Sequence, residues 1–265
     1  ITYILSSDRK NIKLRPVVWG LSLQIIFGVL VIYWPTGRSV LQSIANGVAY
    51  FLDFAIEGSK FLFANLADKS YASSYGFLFA FMVLPTIIFF SAFMSILYHY
   101  GIMQRIVAGM AWIMSKTLGT SGSESLSCAA NVFVGQTEAP LIVRPYISTM
   151  TMSEINAVMV GGFGTIAGGV MAGIIAMGVN PAYVITASFM AAPASLMIAK
   201  ILFPETEQSP TAKEIKLKLD IRTTNSIEEA AKGASDGLSL ALNVGAMLIA
   251  FIAIVKLADE GLSFV

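Results

Sequence analysis

The run Gly135-Gln136-Thr137-Glu138-Ala139-Pro140 sets an amide, a hydroxyl and a carboxylate side by side within an otherwise apolar stretch. At bilayer depth a carboxylate costs about 2.5–3.5 kcal/mol on the mildest scale unless it faces a cavity, a partner or a ligand. Gly135 and Pro140 break the helix on either side of it. The backbone groups they free survive in lipid only when buried in protein or lining a watery site. Three such side chains can match the donors and acceptors of a small polar solute. Carbonyl, amide and hydroxyl oxygens, including those of Asn131 just upstream, are hard ligands that suit a cation without adding charge.

The elements that hold this run belong to an all-α membrane protein. Hydrophobic residues make up 56% of the 265 and charged residues 12%, about half the share of roughly 25% in a soluble domain. The mean hydropathy is +0.74. Apolar spans of about 20 residues are expected at 16–34, 76–98, 157–179, 182–203 and 238–257. The chain opens without Met in what reads as the tail of a further helix, so residues upstream are expected to be missing and no signal peptide is assigned.

Arg9, Lys10, Lys13 and Arg15 crowd the loop before the first span and place it in the cytoplasm. Residues 35–75 then fall outside, as amphipathic pieces lying on the membrane surface. Residues 204–236, with charges of both signs, read as a solvated cytoplasmic connector, and Ser226 with Glu229 as the capping box that starts the last helix.

Several classes are excluded. A net charge of +1 with no basic stripe excludes a nucleic-acid partner, and the single Cys128 excludes a disulfide framework. The spans are too uniformly apolar for a channel. One His, one Cys and one midplane carboxylate do not assemble the acid, base or metal constellation of an enzyme.

Residues 119–150 do not fit a simple span. Asn131, Gln136, Thr137 and Glu138 divide them into two arms of about a dozen residues, each reaching roughly 18 Å of a core about 30 Å thick. A re-entrant hairpin follows, at about 121–149, entering from the cytoplasm and turning near Gly135 to Thr137. Ser121 with Glu124 caps its first arm, and Thr151 with Glu154 caps the next span. Opposed half-helices with polar tips are how secondary transporters build sites for solute and ion. The run Gly161-Gly162-Phe163-Gly164-Thr165-Ile166-Ala167-Gly168-Gly169 carries five glycines, each about 1 kcal/mol worse than Ala in a helix. It reads either as close helix packing or as a local unwinding that exposes the carbonyls of Thr165 and Ile166.

These residues carry a resemblance. The stretch from Asn131 to Pro140, with Val143-Arg144-Pro145, resembles the signature of the concentrative nucleoside transporters. The likeness continues in Ser7-Asp8-Arg9-Lys10, Leu84-Pro85-Thr86-Ile87-Ile88-Phe89-Phe90-Ser91-Ala92, Ala167-Gly168-Gly169-Val170, Phe189-Met190-Ala191-Ala192-Pro193, Pro204-Glu205-Thr206-Glu207 and Ala241-Leu242-Asn243-Val244-Gly245-Ala246-Met247. The resemblance implies a homotrimeric, multi-pass symporter of the inner (cytoplasmic) membrane, in contact with the lipid bilayer. It would carry nucleosides inward by elevator-type alternating access, with sodium as coupling ion and no other cofactor.

By similarity Gln136, Thr137 and Glu138 address the nucleobase, and Val170 packs on it. Sodium is held by the side chains of Asn131 and Thr165 and the carbonyls of Val134, Thr165 and Ile166. Some relatives have Ser where this chain has Thr165, and the hydroxyl is kept. Ala139-Pro140 after the Glu mark the sodium-linked type. The implied organisation is scaffold helices in 1–105, half of a transport domain in 106–204 (broken helix 155–179, helix 182–203), the connector 205–236 and a scaffold helix in 237–265. The family's second, inverted repeat is absent from these residues, and with it the ribose-binding groups. The alternative is a symporter for another small polar solute, such as a nucleobase or an amino acid.

The other conspicuous residues have plainer readings. His99 is interfacial, Cys128 a small packing residue, and the 13 Met residues apolar filler. Arg144 either pairs with Glu138 or sits at the cytoplasmic interface. Lys200 and Lys256 snorkel to headgroups.

Overall fold

The computed structural model describes residues 2–71, 74, 76–136, 139–211 and 225–263, and every regular element among them is helical. Six helices or helix pairs among the described residues are long and apolar enough to cross a membrane.

The first is α1 (Leu14–Ile32). It follows a short turn in which the Asp8 carboxylate accepts the Lys10 N–H at 3.1 Å and the Asn11 amide at 2.6 Å. The Asn11 contact is the main reason that the Asp8 carboxyl titrates below its usual range. Residues 35–75 differ from the separate surface pieces expected. α2 (Pro35–Phe63) is one continuous helix of 29 residues, opened by Pro35 in its first turn, where the missing N–H costs nothing. Tertiary packing overrides its internal glycines: Phe51 lies 4.8 Å and 4.3 Å from the rings of Phe89 and Phe93. Span 76–98 is itself interrupted, because α3 (Phe79–Met82) stops at Val83 and α4 (Leu84–His99) restarts with Pro85 in its first turn.

α5 (Ile102–Leu118) is bounded by Gly101 and Gly119, both left-handed with φ of 73°. Arg15 on α1 donates from Nε to the Thr117 carbonyl at 3.1 Å and from Nη2 to the Lys116 carbonyl at 2.5 Å. This places a cation on the negative end of α5. Beyond Gly119 come α6 (Gly122–Ala130), the turn, α7 (Ala139–Val143) and a 3-10 run Arg144–Thr149. The second arm is thus less regular than the first, and Pro145 in its middle removes a donor that an α-helix would need. The expected span 157–179 starts earlier and is broken: α8 (Met152–Phe163) and α9 (Gly168–Ala176) are separated by Gly164 to Ala167. α10 (Pro181–Leu202) follows, with Asn180 capping it through the Ala182 N–H.

The last helix, α11 (Ser226–Ser263), runs along α4 at close range. A Cβ on Gly233 would come within 2.6 Å of Ser95, and one on Gly237 within 2.7 Å of Ser91. The expected cap is displaced by one residue. Asn225, and not Ser226, caps this helix, its Oδ1 accepting the Glu228 N–H at 2.8 Å. Adjacent Asn and Ser are both good caps, so the choice falls to the backbone. Buried side chains of α5, α6, α8 and α10 form one core around the hairpin, and α2, α9 and α10 share a second.

Candidate functional site

The site is built between two helices that start together and end together. At their base, both expected capping boxes form. Glu124 accepts the Ser121 N–H at 2.7 Å, and Glu154 accepts the Thr151 N–H at 2.8 Å. Carboxylates in a first turn are stabilised by the helix dipole. These two are also nearly inaccessible to solvent, at 1% and 0% exposure, so they need further partners. Glu154 receives the hydroxyls of Ser123, Ser209 and Thr211. Glu124 lies 2.6 Å from Nζ of Lys200.

Lys200 therefore does not snorkel. Its side chain is 7% exposed, and its Nζ also donates to Ser153 Oγ at 2.9 Å and lies 3.6 Å from Glu205. Lys256, in contrast, is exposed beside Glu260.

At the other end, α6 closes with Asn131 as its C-cap, the N–H of which bonds to the Ser127 carbonyl at 3.0 Å. The Asn131 side chain is fully buried, and neither Oδ1 nor Nδ2 has a hydrogen-bond partner among the described residues. A buried polar group left unsatisfied costs about 1–3 kcal/mol, so this amide calls for a partner that the described groups around it do not supply. The backbone turns immediately after: Phe133 and Val134 donate to the Ala130 carbonyl, and Ala139 donates to that of Gly135. Val134 is half-buried, Gln136 is exposed, and Thr137 and Glu138 lie outside the described residues.

The glycine run accounts for both of the readings that the sequence allowed. The helix does unwind, with Thr165 and Ile166 in the interruption between α8 and α9. Its glycines also give close approach to the hairpin. A Cβ on Gly161 would stand 2.6 Å from Cys128 Sγ and 3.5 Å from Asn131 Nδ2, and one on Gly162 would stand 3.2 Å from Gln136 Cβ. Thr165 Oγ1 donates to the Gly161 carbonyl at 2.8 Å. Gly161 is thus the common neighbour of the Asn131 amide and the Thr165 hydroxyl. Gly168 donates its N–H to the Phe133 carbonyl at 3.2 Å, and Ser188 of α10 donates to that of Val132 at 3.1 Å. Val170 sits half-buried in the first turn of α9, and Ile166 is 36% exposed.

Beside the turn, Gln136, Pro140, Ile155, Val158, Gly162 and Phe163 line a cavity of about 410 Å³. The arrangement gathers around the turn a negative helix end with the Asn131 amide, which has no partner among the described residues and is suited to a cation, the amino end of α9 at the Phe133 carbonyl, and the Gln136 amide beside Gly162, suited to a polar solute.

Three of the remaining residues hold positions that bear on their earlier readings. Cys128 packs between helices, its Sγ 3.6 Å from the Ala157 carbonyl. His99 ends α4 with its ring edge-on to Tyr100. Arg144 is exposed, and its pairing with Glu138 falls outside the described residues.

The chain is similar to known proteins along nearly its whole length. A family model described as "Na+ dependent nucleoside transporter N-terminus" matches residues 1–66, one described as "Nucleoside recognition" matches 80–180, and one described as "Na+ dependent nucleoside transporter C-terminus" matches 183–265. An uncharacterized transporter of Haemophilus influenzae is 50% identical over 263 residues, 99% of this chain and 62% of the relative. Sodium/nucleoside cotransporter 2 of Rattus norvegicus is 42% identical over 265 residues, 100% of this chain and 39% of the relative. The structure of CNTnw in an inward-facing substrate-bound state superposes with a TM-score of 0.89 at 44% identity, covering 97% of this chain and 61% of that one. The chain thus spans less than two thirds of the length of these relatives.

Proposed function

The chain belongs to the sodium-dependent nucleoside transporter family, and from that premise we propose that it carries the sodium site and the nucleobase-binding half of a nucleoside symporter. The observation that carries this reading is the Asn131 amide, wholly buried, without a partner among the described residues, and set beside the interruption that holds Thr165. A sodium ion there would take oxygens from Asn131, Thr165 and the carbonyls of Val134, Thr165 and Ile166. It would bind the end of α6 to the break between α8 and α9, and so order the turn that presents Gln136, Thr137 and Glu138 to the base, with Val170 against it. Coupling then requires only that cation occupancy fix the turn.

On this reading residues 106–204 form part of a moving transport domain, and residues 1–105 and 237–265 belong to a fixed scaffold. The protein works as a homotrimer in the inner membrane of the cell. The test is uptake into proteoliposomes, by the full-length protein, of uridine, adenosine, a free nucleobase, an amino acid and a dicarboxylate, with and without a sodium gradient. Saturable uridine or adenosine uptake stimulated by sodium is the expected result. Sodium-driven uptake of another solute alone would replace the nucleoside, and proton-driven uptake indifferent to sodium would remove the cation site.

A further inference from the structure

The buried ionic cluster at the base of the hairpin lies a full helix length from the proposed sodium ligands, yet it touches the starts of both helices that end at them. α6 has nine residues and α8 twelve, so at 1.5 Å per residue they run about 14 Å and 18 Å from base to tip. Asn131 caps the far end of α6, and Thr165 lies just past the far end of α8. At the near end, one side chain from a third helix bridges the two. Lys200 of α10 reaches Glu124, third residue of α6, at 2.6 Å, and Ser153, second residue of α8, at 2.9 Å. It also lies 3.6 Å from Glu205, which accepts the Thr151 hydroxyl at the cap of α8 at 2.7 Å.

A lysine beside two helix amino ends opposes both dipoles. It is held there because three carboxylates, the buried Glu124 and Glu154 and the partly buried Glu205, gather within the same network. A strap of the chain after α10 closes over them: Ser209 and Thr211 donate to Glu154, and the Thr211 carbonyl accepts the Gly122 N–H at 3.0 Å.

We infer that Lys200 is a positioning residue for the cation site, setting the axial register of α6 against α8 and thereby the distance between Asn131 and Thr165. Between base and tip the two helices touch through small residues, Cys128 against Ala157 and Gly161. Such contacts are close but smooth, and they resist separation better than sliding. Register is therefore fixed at the ends, and a ligand set works only when supporting bonds hold it within about 0.5 Å. The inference rests on the sodium site proposed above for its functional consequence, but the register it describes can be read without transport.

The experiment measures the sodium concentration giving half-maximal uridine uptake in proteoliposomes, together with the alkylation rate of Cys128 by a maleimide, followed by peptide mass spectrometry. In Lys200→Met the half-saturating sodium rises about tenfold, while the uridine KM at saturating sodium stays within twofold. Cys128 reacts about tenfold faster than in the wild type. Lys200→Arg keeps both values within threefold of wild type. Removing one member of a buried pair can prevent folding, so Ser153→Ala, which removes the direct bond from Lys200 to α8 and keeps the pair with Glu124 and the indirect route through Glu205, provides a second measure. It raises both values about threefold.

Reduced maximal rate with unchanged sodium half-saturation and unchanged Cys128 reactivity in both variants overturns the inference and leaves Lys200 a stabilising residue only. Absence of sodium-stimulated uptake in the wild type as well removes the proposed function. The Cys128 rates then decide the register: faster reaction in the variants sustains it, and no change sinks it.

Discussion

The Phe133 carbonyl, in the turn of the hairpin, accepts the N–H of Gly168, the first residue of α9, at 3.2 Å. The bond exists because Gly168 has no side chain. A Cβ there would collide with that same oxygen and come within 2.6 Å of the Phe90 ring. The turn and the restart of the broken helix are therefore one unit, and a displacement of either is felt by the other.

Gly168→Ala is accordingly expected to be severe, because the obstructing atom is backbone and cannot rotate away. Overpacking of this kind costs about 1–3 kcal/mol. Sodium-stimulated uptake should fall more than tenfold, with a lower unfolding temperature in detergent. Gly245→Ala, where the new methyl meets only Leu84 at an ordinary 3.6 Å, serves as control and should leave both unchanged.

Asn131→Leu replaces an amide that has no partner among the described residues by an apolar group of similar size. Without sodium the variant should unfold at or above the wild-type temperature, since an orphaned polar group worth about 1–3 kcal/mol is gone. Added sodium stabilises the wild type by mass action and should no longer shift the unfolding of the variant. A sodium-dependent shift of wild-type size would take Asn131 out of the cation site.

Gly161→Ala should be destabilising by about 1–3 kcal/mol, because its methyl would stand 2.6 Å from Cys128 Sγ. Cys128→Ala in the same protein removes the obstructing atom and should recover most of the loss. Chemical denaturation of the two single variants and the double variant gives the coupling energy, and simple additivity would mean that these positions do not meet.

Glu138→Gln keeps the size of the side chain and removes its charge. Uridine uptake should be nearly abolished while the protein still folds and sodium still raises its unfolding temperature. Near-normal uptake would exclude Glu138 from the solute site.

What the sequence disclosed and what it withheld divide by distance along the chain. The capping boxes of Ser121 with Glu124 and Thr151 with Glu154 are three-residue patterns, and both form. The interruption at Thr165 was visible in its glycines. Close packing was the other reading, but its partners were not legible, because Cys128, Gln136 and Phe133 arrive from the hairpin. Lys200 near a span end looked like a headgroup contact because its partner Glu124 is 76 residues away in sequence, and Ser209 and Thr211 gave no signal of their own. α2 was read as surface pieces because Arg38, Asp53, Glu57 and Lys60 are spread along an amphipathic stretch, whereas its aromatic packing on α4 comes from elsewhere in the chain.

The two bonds from Arg15 to the last carbonyls of α5 tie α1 to the residue pair that leads into the hairpin. Only Leu118, Gly119 and Thr120 separate the anchored Thr117 carbonyl from Ser121, and three residues pulled straight span about 10 Å. A hairpin that travels farther than this length allows carries α5 with it, and α5 then pulls α1 along or strips the guanidinium from its carbonyls. Arg15 is then the mooring line of the assembly, the first tether to tighten when the cargo shifts.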